Sequence, residues 1–168
     1  MATSFRLEHE FEKIPLEKFE AHLNDPELNA MLEKGLSFDQ RKLMNKTTKE
    51  SGVIEWSFQV KKTGDMPEAI KKVLKGNSFS WREDSKFVPS EHKIYWQIIP
   101  DLKSLKFSGV GTWQLKAKGQ GFSRVIEGMV KVEIPLVGKL IESLIVNELK
   151  KTYDIEPGIQ AKFFQNLK

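Results

Sequence analysis

The run Pro135-Leu-Val-Gly-Lys-Leu-Ile-Glu-Ser-Leu-Ile-Val-Asn-Glu-Leu-Lys-Lys-Thr-Tyr153 decides how the rest of the chain must be arranged. Its apolar residues Leu136, Val137, Leu140, Ile141, Leu144, Ile145 and Leu149 recur at i, i+3 and i+4, the spacing of an amphipathic helix. Pro135 is acceptable at a helix start, where its missing N–H has no partner to lose. Lys150 and Lys151 sit where cations favour a last turn. Lys139, Glu142 and Glu148 interrupt the apolar run, which excludes a membrane span. A helix of this length reaches roughly 27 Å and needs a comparably long apolar surface to lie on.

The chain before it supplies that surface as strands. Residues 4–12 alternate strictly, with Phe5, Leu7, His9 and Phe11 on one face and charges on the other. Two short helices follow. Pro15 opens one carrying Leu16, Phe19 and Leu23; Asp25-Pro26 caps and begins the second, which stops at Gly35. Residues 36–47 read as a weaker strand that sets Gln40 on the inward face. Residues 52–62 alternate again, with Ile54, Trp56, Phe58 and Val60 inward, before Gly64-Asp65-Met66-Pro67 breaks the strand. A small helix at 67–75 precedes four more strands. Their inward residues are Phe79, Trp81, Glu83 and Phe87; Ile94, Trp96 and Ile98; Leu105, Phe107, Gly109, Gly111, Trp113 and Leu115; then Phe122, Arg124, Ile126, Gly128, Val130, Val132 and Ile134. Lys118-Gly-Gln-Gly121 makes the last hairpin turn, and the facing glycines predict sharp bending. Beyond the long helix, Asp154-Ile-Glu-Pro157 predicts a kink or a second helical piece. Strands joined by short turns give an antiparallel sheet, and the apolar helix is its cover. The expected class is α+β, a strongly curved antiparallel β-sheet of about 6–7 strands wrapped around a long C-terminal α-helix.

Composition narrows the function classes. The 168 residues suit one domain, 1–168, with 39% apolar and 30% charged content. There is no cysteine, which removes disulfides, thiolate metal sites and thiol nucleophiles and favours a cytoplasmic location. The first ten residues carry no apolar core, so no secretory signal is expected. The net charge of +4 comes from scattered lysines, and only Arg6, Arg41, Arg82 and Arg124 are arginines, so nucleic acid is not an expected partner. Three histidines at 9, 22 and 92 and the lack of any His-Glu-x-x-His predict no metal; His22 and His92 read as surface residues. No Gly-x-Ser-x-Gly elbow or phosphate loop occurs, and Gly109-Val-Gly111 lies inside a strand. No cofactor is expected.

Three stretches carry a resemblance: Phe11-Glu-Lys-Ile-Pro15-Leu-Glu-Lys-Phe19, Met66-Pro67-Glu-Ala-Ile70, and Val132-Glu-Ile-Pro135-Leu-Val-Gly138-Lys-Leu-Ile-Glu142. With the element order, they resemble the START-like (SRPBCC, helix-grip) superfamily and, within it, a small uncharacterised bacterial family. The resemblance implies a hydrophobic cavity between sheet and C-terminal helix, used for lipids or other apolar ligands. It carries over no catalytic motif.

On that expectation the cavity wall is made of Trp56, Phe58, Trp81, Trp96, Phe107, Trp113, Leu140 and Leu144, with His9, Glu83 and Arg124 as polar groups. Arg124, between Phe122 and Ile126, suits a carboxylate or phosphate head, or else an internal pair with Glu83 or a path to solvent. His9 on an apolar face reads first as a satisfied core or rim histidine. The leading expectation is carriage of a hydrophobic or amphipathic, lipid-like small molecule, without stable membrane insertion. The alternatives are a cyclase- or hydrolase-like enzyme using His9, Glu83 and Arg124, and a filled-core interaction module. The last would expose the tail Phe163-Phe164-Gln-Asn-Leu167.

Overall fold

The computed structural model describes residues 2–63, 67–76 and 78–167; the expected break at Gly64-Asp65-Met66 lies outside them. Strand β1 (Thr3–Phe11) leads into helices α1 (Leu16–Ala21) and α2 (Pro26–Gly35), then β2 (Gln40–Thr48) and β3 (Ile54–Thr63). Helix α3 (Glu68–Leu74) precedes β4 (Ser78–Val88), β5 (Lys93–Pro100), β6 (Phe107–Lys118) and β7 (Gly121–Val132), and α4 (Gly138–Asn166) closes the chain. The seven strands lie in the order β1-β7-β6-β5-β4-β3-β2, every neighbour antiparallel. Consecutive strands β2 to β7 are therefore adjacent, while α1 and α2 carry the chain from one sheet edge to the other.

Local signals act as the sequence predicts at several points. Asp25 Oδ1 accepts from the Glu27 amide at 2.9 Å, capping α2 with Pro26 in its first turn. On β7 the inward residues 122, 124, 126, 128, 130 and 132 are all buried. Gly119-Gln120 turns the β6–β7 hairpin, with Gly119 at φ +57°. Gly111 and Gly128 face one another in the register, and a Cβ on either would lie 2.3 or 2.9 Å from the Trp96 ring. Those two glycines form the notch in which Trp96 is seated.

The long helix differs from expectation at both ends. It begins at Gly138, not at Leu136; Pro135–Val137 form a turn, with Leu136 at φ +69° and fully exposed. The cause is Glu142, which is buried. Its carboxylate accepts from the Val132 amide (2.9 Å), Thr3 Oγ1 (2.7 Å) and Lys139 Nζ (3.2 Å). A carboxylate in the first turns of a helix is favoured by the dipole, and once satisfied it takes a place on the inner face. That rotation carries Val137 and Leu140 out to solvent and leaves Ile141, Val146 and Tyr153 facing the sheet. At the other end α4 runs through Pro157 without a break, for 29 residues. Phe163 and Phe164, expected as the exposed tail of an interaction module, are buried against α1, α2 and β7.

Candidate functional site

A cavity of about 200 Å³ lies between the concave sheet face and α4, closed at its sides by α2 and α3. The chain's four tryptophans all line it: Trp56, Trp81, Trp96 and Trp113, one from each of four successive strands. Phe107 lines it as predicted. Ile141, Ile145, Leu149 and Tyr153 form the helix side. Three predicted residues lie elsewhere. Leu140 is 55% exposed, because Glu142 sets the phase of the helix. Phe58 is wholly buried beneath Arg41, whose Cζ sits 3.8 Å above its ring. Leu144 packs in the core next to the cavity but not on its wall.

Arg124 is completely buried, and its partners differ from those expected. Nη1 donates to Glu156 Oε2 at 2.9 Å, so the internal ion pair is with the helix and not with Glu83. Nη2 donates to His9 Nδ1 at 3.1 Å and to the Tyr153 carbonyl at 3.3 Å. That carbonyl is free because residue 157, which would donate to it in an unbroken ladder, is a proline. Since Nδ1 accepts, the His9 proton sits on Nε2, which donates to Asp154 Oδ1 at 2.9 Å. The guanidinium is stacked between Trp113 (4.6 Å) and Phe11 (5.5 Å). Both Nη atoms are thus satisfied internally while Nε is left without a partner, and Arg124 and His9 are struts beside the cavity and not part of its wall.

The polar group that does face the cavity is Glu83, on β4 between Trp81 and Ser85, beside Phe58 and Ile98 in the register. Among the described residues none hydrogen-bonds its carboxyl. Burial pushes its pKa above the ordinary 4.5; the Arg41 charge acts against this, and Glu156 and Asp84 add to it. Tyr153 is held well above the ordinary phenol value, first by burial and then by Glu83 and Glu156. The Trp113 indole acts on the Tyr153 hydroxyl in the opposite sense but does not reach hydrogen-bond geometry, and its Nε1 is left without a partner. Trp81 Nε1, Trp96 Nε1 and Gln160 Oε1, on the same lining residues, are also unpartnered.

His9 and Arg124 thus come together as the sequence reading allowed, but Glu83 joins them only through the field of Glu156. Four contributors were missed: Arg41, Tyr153, Glu156 and Gln160. For Arg41 the signal was obscured by a bulge at Leu43/Asn45, and Gln40, placed inward by the strand reading, is exposed. For Tyr153, Glu156 and Gln160 the signal was helical spacing continued through Pro157. His22 is no plain surface residue: it lines the cavity and meets Phe163 and Phe164 edge-on. His92 is at the surface, bonded to Glu20. Among the described residues no group of acidic and histidine side chains is arranged to hold a metal.

The family described as "Protein of unknown function (DUF2505)" matches residues 6–163. No curated protein matches the sequence. Among solved structures, the chain is similar to TTHA0849 from Thermus thermophilus (14% identity, 95% of this chain and 99% of that one, TM-score 0.65). It is also similar to the Zhui aromatase/cyclase from Streptomyces sp. R1128 (10% identity, 93% of each chain, TM-score 0.59). A third is major latex-like protein 151 from Panax ginseng (10% identity, 94% and 96%, TM-score 0.55). At these identities the likeness is one of fold alone: a curved antiparallel sheet around a long C-terminal helix, the helix-grip arrangement.

Proposed function

The chain belongs to the DUF2505 family of proteins of unknown function, and from that premise we propose that it binds a compact, largely apolar small molecule in the cavity under α4. The observation that carries this reading is the cavity itself, with a tryptophan from each of four strands on its wall. Removing apolar surface from water drives such binding at roughly 25 cal/mol per Å². At about 200 Å³ the space is below the roughly 300–1,000 Å³ of drug-sized pockets, which favours a ring compound over a long acyl chain. Among the described residues no helix is long and apolar enough to cross a membrane. The single-domain organisation and cytoplasmic location expected from the sequence are part of the same proposal.

Native mass spectrometry of the purified protein, with and without naphthalene, tests it. One equivalent is expected to bind and to change tryptophan emission, since all four indoles line the space. Ile145→Phe puts a ring into the void and is expected to remove the uptake without unfolding the chain. No bound mass and no emission change in the wild-type protein would overturn the reading.

A second reading, chemistry on the bound molecule, is favoured by Glu83 alone. A carboxyl whose pKa burial raises, facing a largely apolar cavity near a phenol, is suited to general-acid work. Glu83→Gln with retained binding and lost turnover would identify an enzyme.

A further inference from the structure

The cavity wall is mostly apolar, and among its polar residues one carboxyl has no hydrogen-bond partner among the described residues. Glu83 stands at the middle of β4 with its carboxyl turned to the space, bonded to nothing among the described residues. Every other buried carboxylate near α4 is accounted for: Glu156 holds Arg124, and Glu142 holds the Val132 amide and Thr3. A polar group left without a partner in such surroundings is costly, and the cost is recovered when a ligand supplies the missing bond. Across from it the Tyr153 phenol, on α4, also lines the space and lies within the field of Glu83.

We infer that the molecule bound here is a neutral ring compound bearing a carbonyl-type acceptor, whose oxygen is met by the Glu83 carboxyl and the Tyr153 hydroxyl. This rests on the cavity-binding reading and names its ligand class.

The surrounding charges decide between acceptor, cation and anion. A carboxylate ligand would have Arg41 and Lys62 to meet, but it would enter beside Glu83, Glu156 and Glu148, so three acids face it against two cations. An ammonium would face the guanidinium of Arg41 and the amine of Lys62, which line the same wall, and would rely on the ionised form of a carboxyl that burial disfavours. A neutral acceptor meets neither obstacle. It uses both groups in the state their surroundings favour, a protonated acid and a neutral phenol, each with one O–H to give. The indole walls accommodate the ring faces.

Isothermal titration calorimetry of the full chain with four probes on one skeleton tests the inference: indane, indanone, aminoindane and indane carboxylate. Indanone is expected to bind about tenfold more tightly than indane, and the two charged probes more weakly than indane. Tyr153→Phe and Glu83→Leu are each expected to abolish the preference for indanone over indane, read as the ratio of the two affinities within each variant. If Glu83→Leu does not fold, Tyr153→Phe reads the same contact with the loss of one oxygen. Equal binding of indane and indanone overturns the carbonyl inference but keeps the cavity reading. Tightest binding by aminoindane overturns it in favour of Glu83 as a counter-ion. No binding by any of the four overturns both.

Discussion

The two halves of the interior are built from the same residue type to opposite effect. Under the C-terminal half of α4, phenylalanines interlock. Phe11 stacks on Phe122 at 4.5 Å, Phe19 meets Phe122 at 4.7 Å, and Phe163 meets Phe164 at 5.0 Å. Under the N-terminal half, Trp81 stacks on Phe79 at 5.1 Å, but Trp96 and Trp113 stand 6.5 and 6.0 Å from Tyr153, with the cavity beside them. Two short helices, α1 and α2, plug the first half with Leu16, Phe19, Leu28 and Leu32. The second half receives α3, which brings Ile70, Val73 and Leu74 to its edge, and only the flank of α2, through Leu28 and Leu32. Aromatic content does not therefore make a cavity; the amount of chain laid over the rings does. Arg124 lies at the seam, stacked on Phe11 of the solid half and Trp113 of the hollow one.

Breaking the seam has the largest expected effect. Arg124→Ala leaves Glu156 buried without its cation and the Tyr153 carbonyl without a donor. A loss of about 3–5 kcal/mol is expected by urea denaturation, and a loss under 1 kcal/mol would refute the strut role. The contrast between the halves is read by matched truncations. Phe122→Ala, in the solid half, is expected to cost about 3–5 kcal/mol. Phe107→Ala, on the cavity wall, should cost at least about 1.5 kcal/mol less, because its ring already faces empty space on one side. Equal costs would mean that the two halves are packed alike.

The smallest effect has the opposite sign. Folding raises the Glu83 pKa above 4.5, chiefly through burial. The folded state therefore holds this proton more tightly than the unfolded chain. The stability that comes with the proton is fully present below the unfolded value and is lost as the pH rises through the folded one. Glu83→Gln removes the titration. Its stability relative to the wild type should rise from pH 4 to pH 8. A constant difference across that range would show that the carboxyl does not titrate between the two states.

Strand alternation and turn chemistry made the sheet legible: on β1 and β3 to β7 the inward residues could be read from the sequence, because period 2 admits no drift. The four tryptophans fell on the wall for that reason. Helix α4 was legible as an element but not in phase. A 3.6-residue period tolerates one buried charge when its hydrogen bonds are satisfied, and Glu142 is satisfied by Val132 and Thr3, partners on strands outside the helix. The Arg124–Glu156 pair was hidden likewise: the arginine was noticed, but its partner sat beside Pro157, where the helix was expected to falter. Whether rings leave a void depends on how two layers meet, which no single strand or helix encodes.

Pro157 has a consequence for how this sequence is free to change. By withholding an N–H it leaves the Tyr153 carbonyl to Arg124, so the two residues form one unit across 32 intervening positions in the fold's connectivity. Replacing Arg124 first orphans the carbonyl; replacing Pro157 by Ala first gives that carbonyl a helical donor and makes a later loss of Arg124 less damaging. The order of substitution matters, and a lineage that gives up the buried arginine passes more easily through the proline.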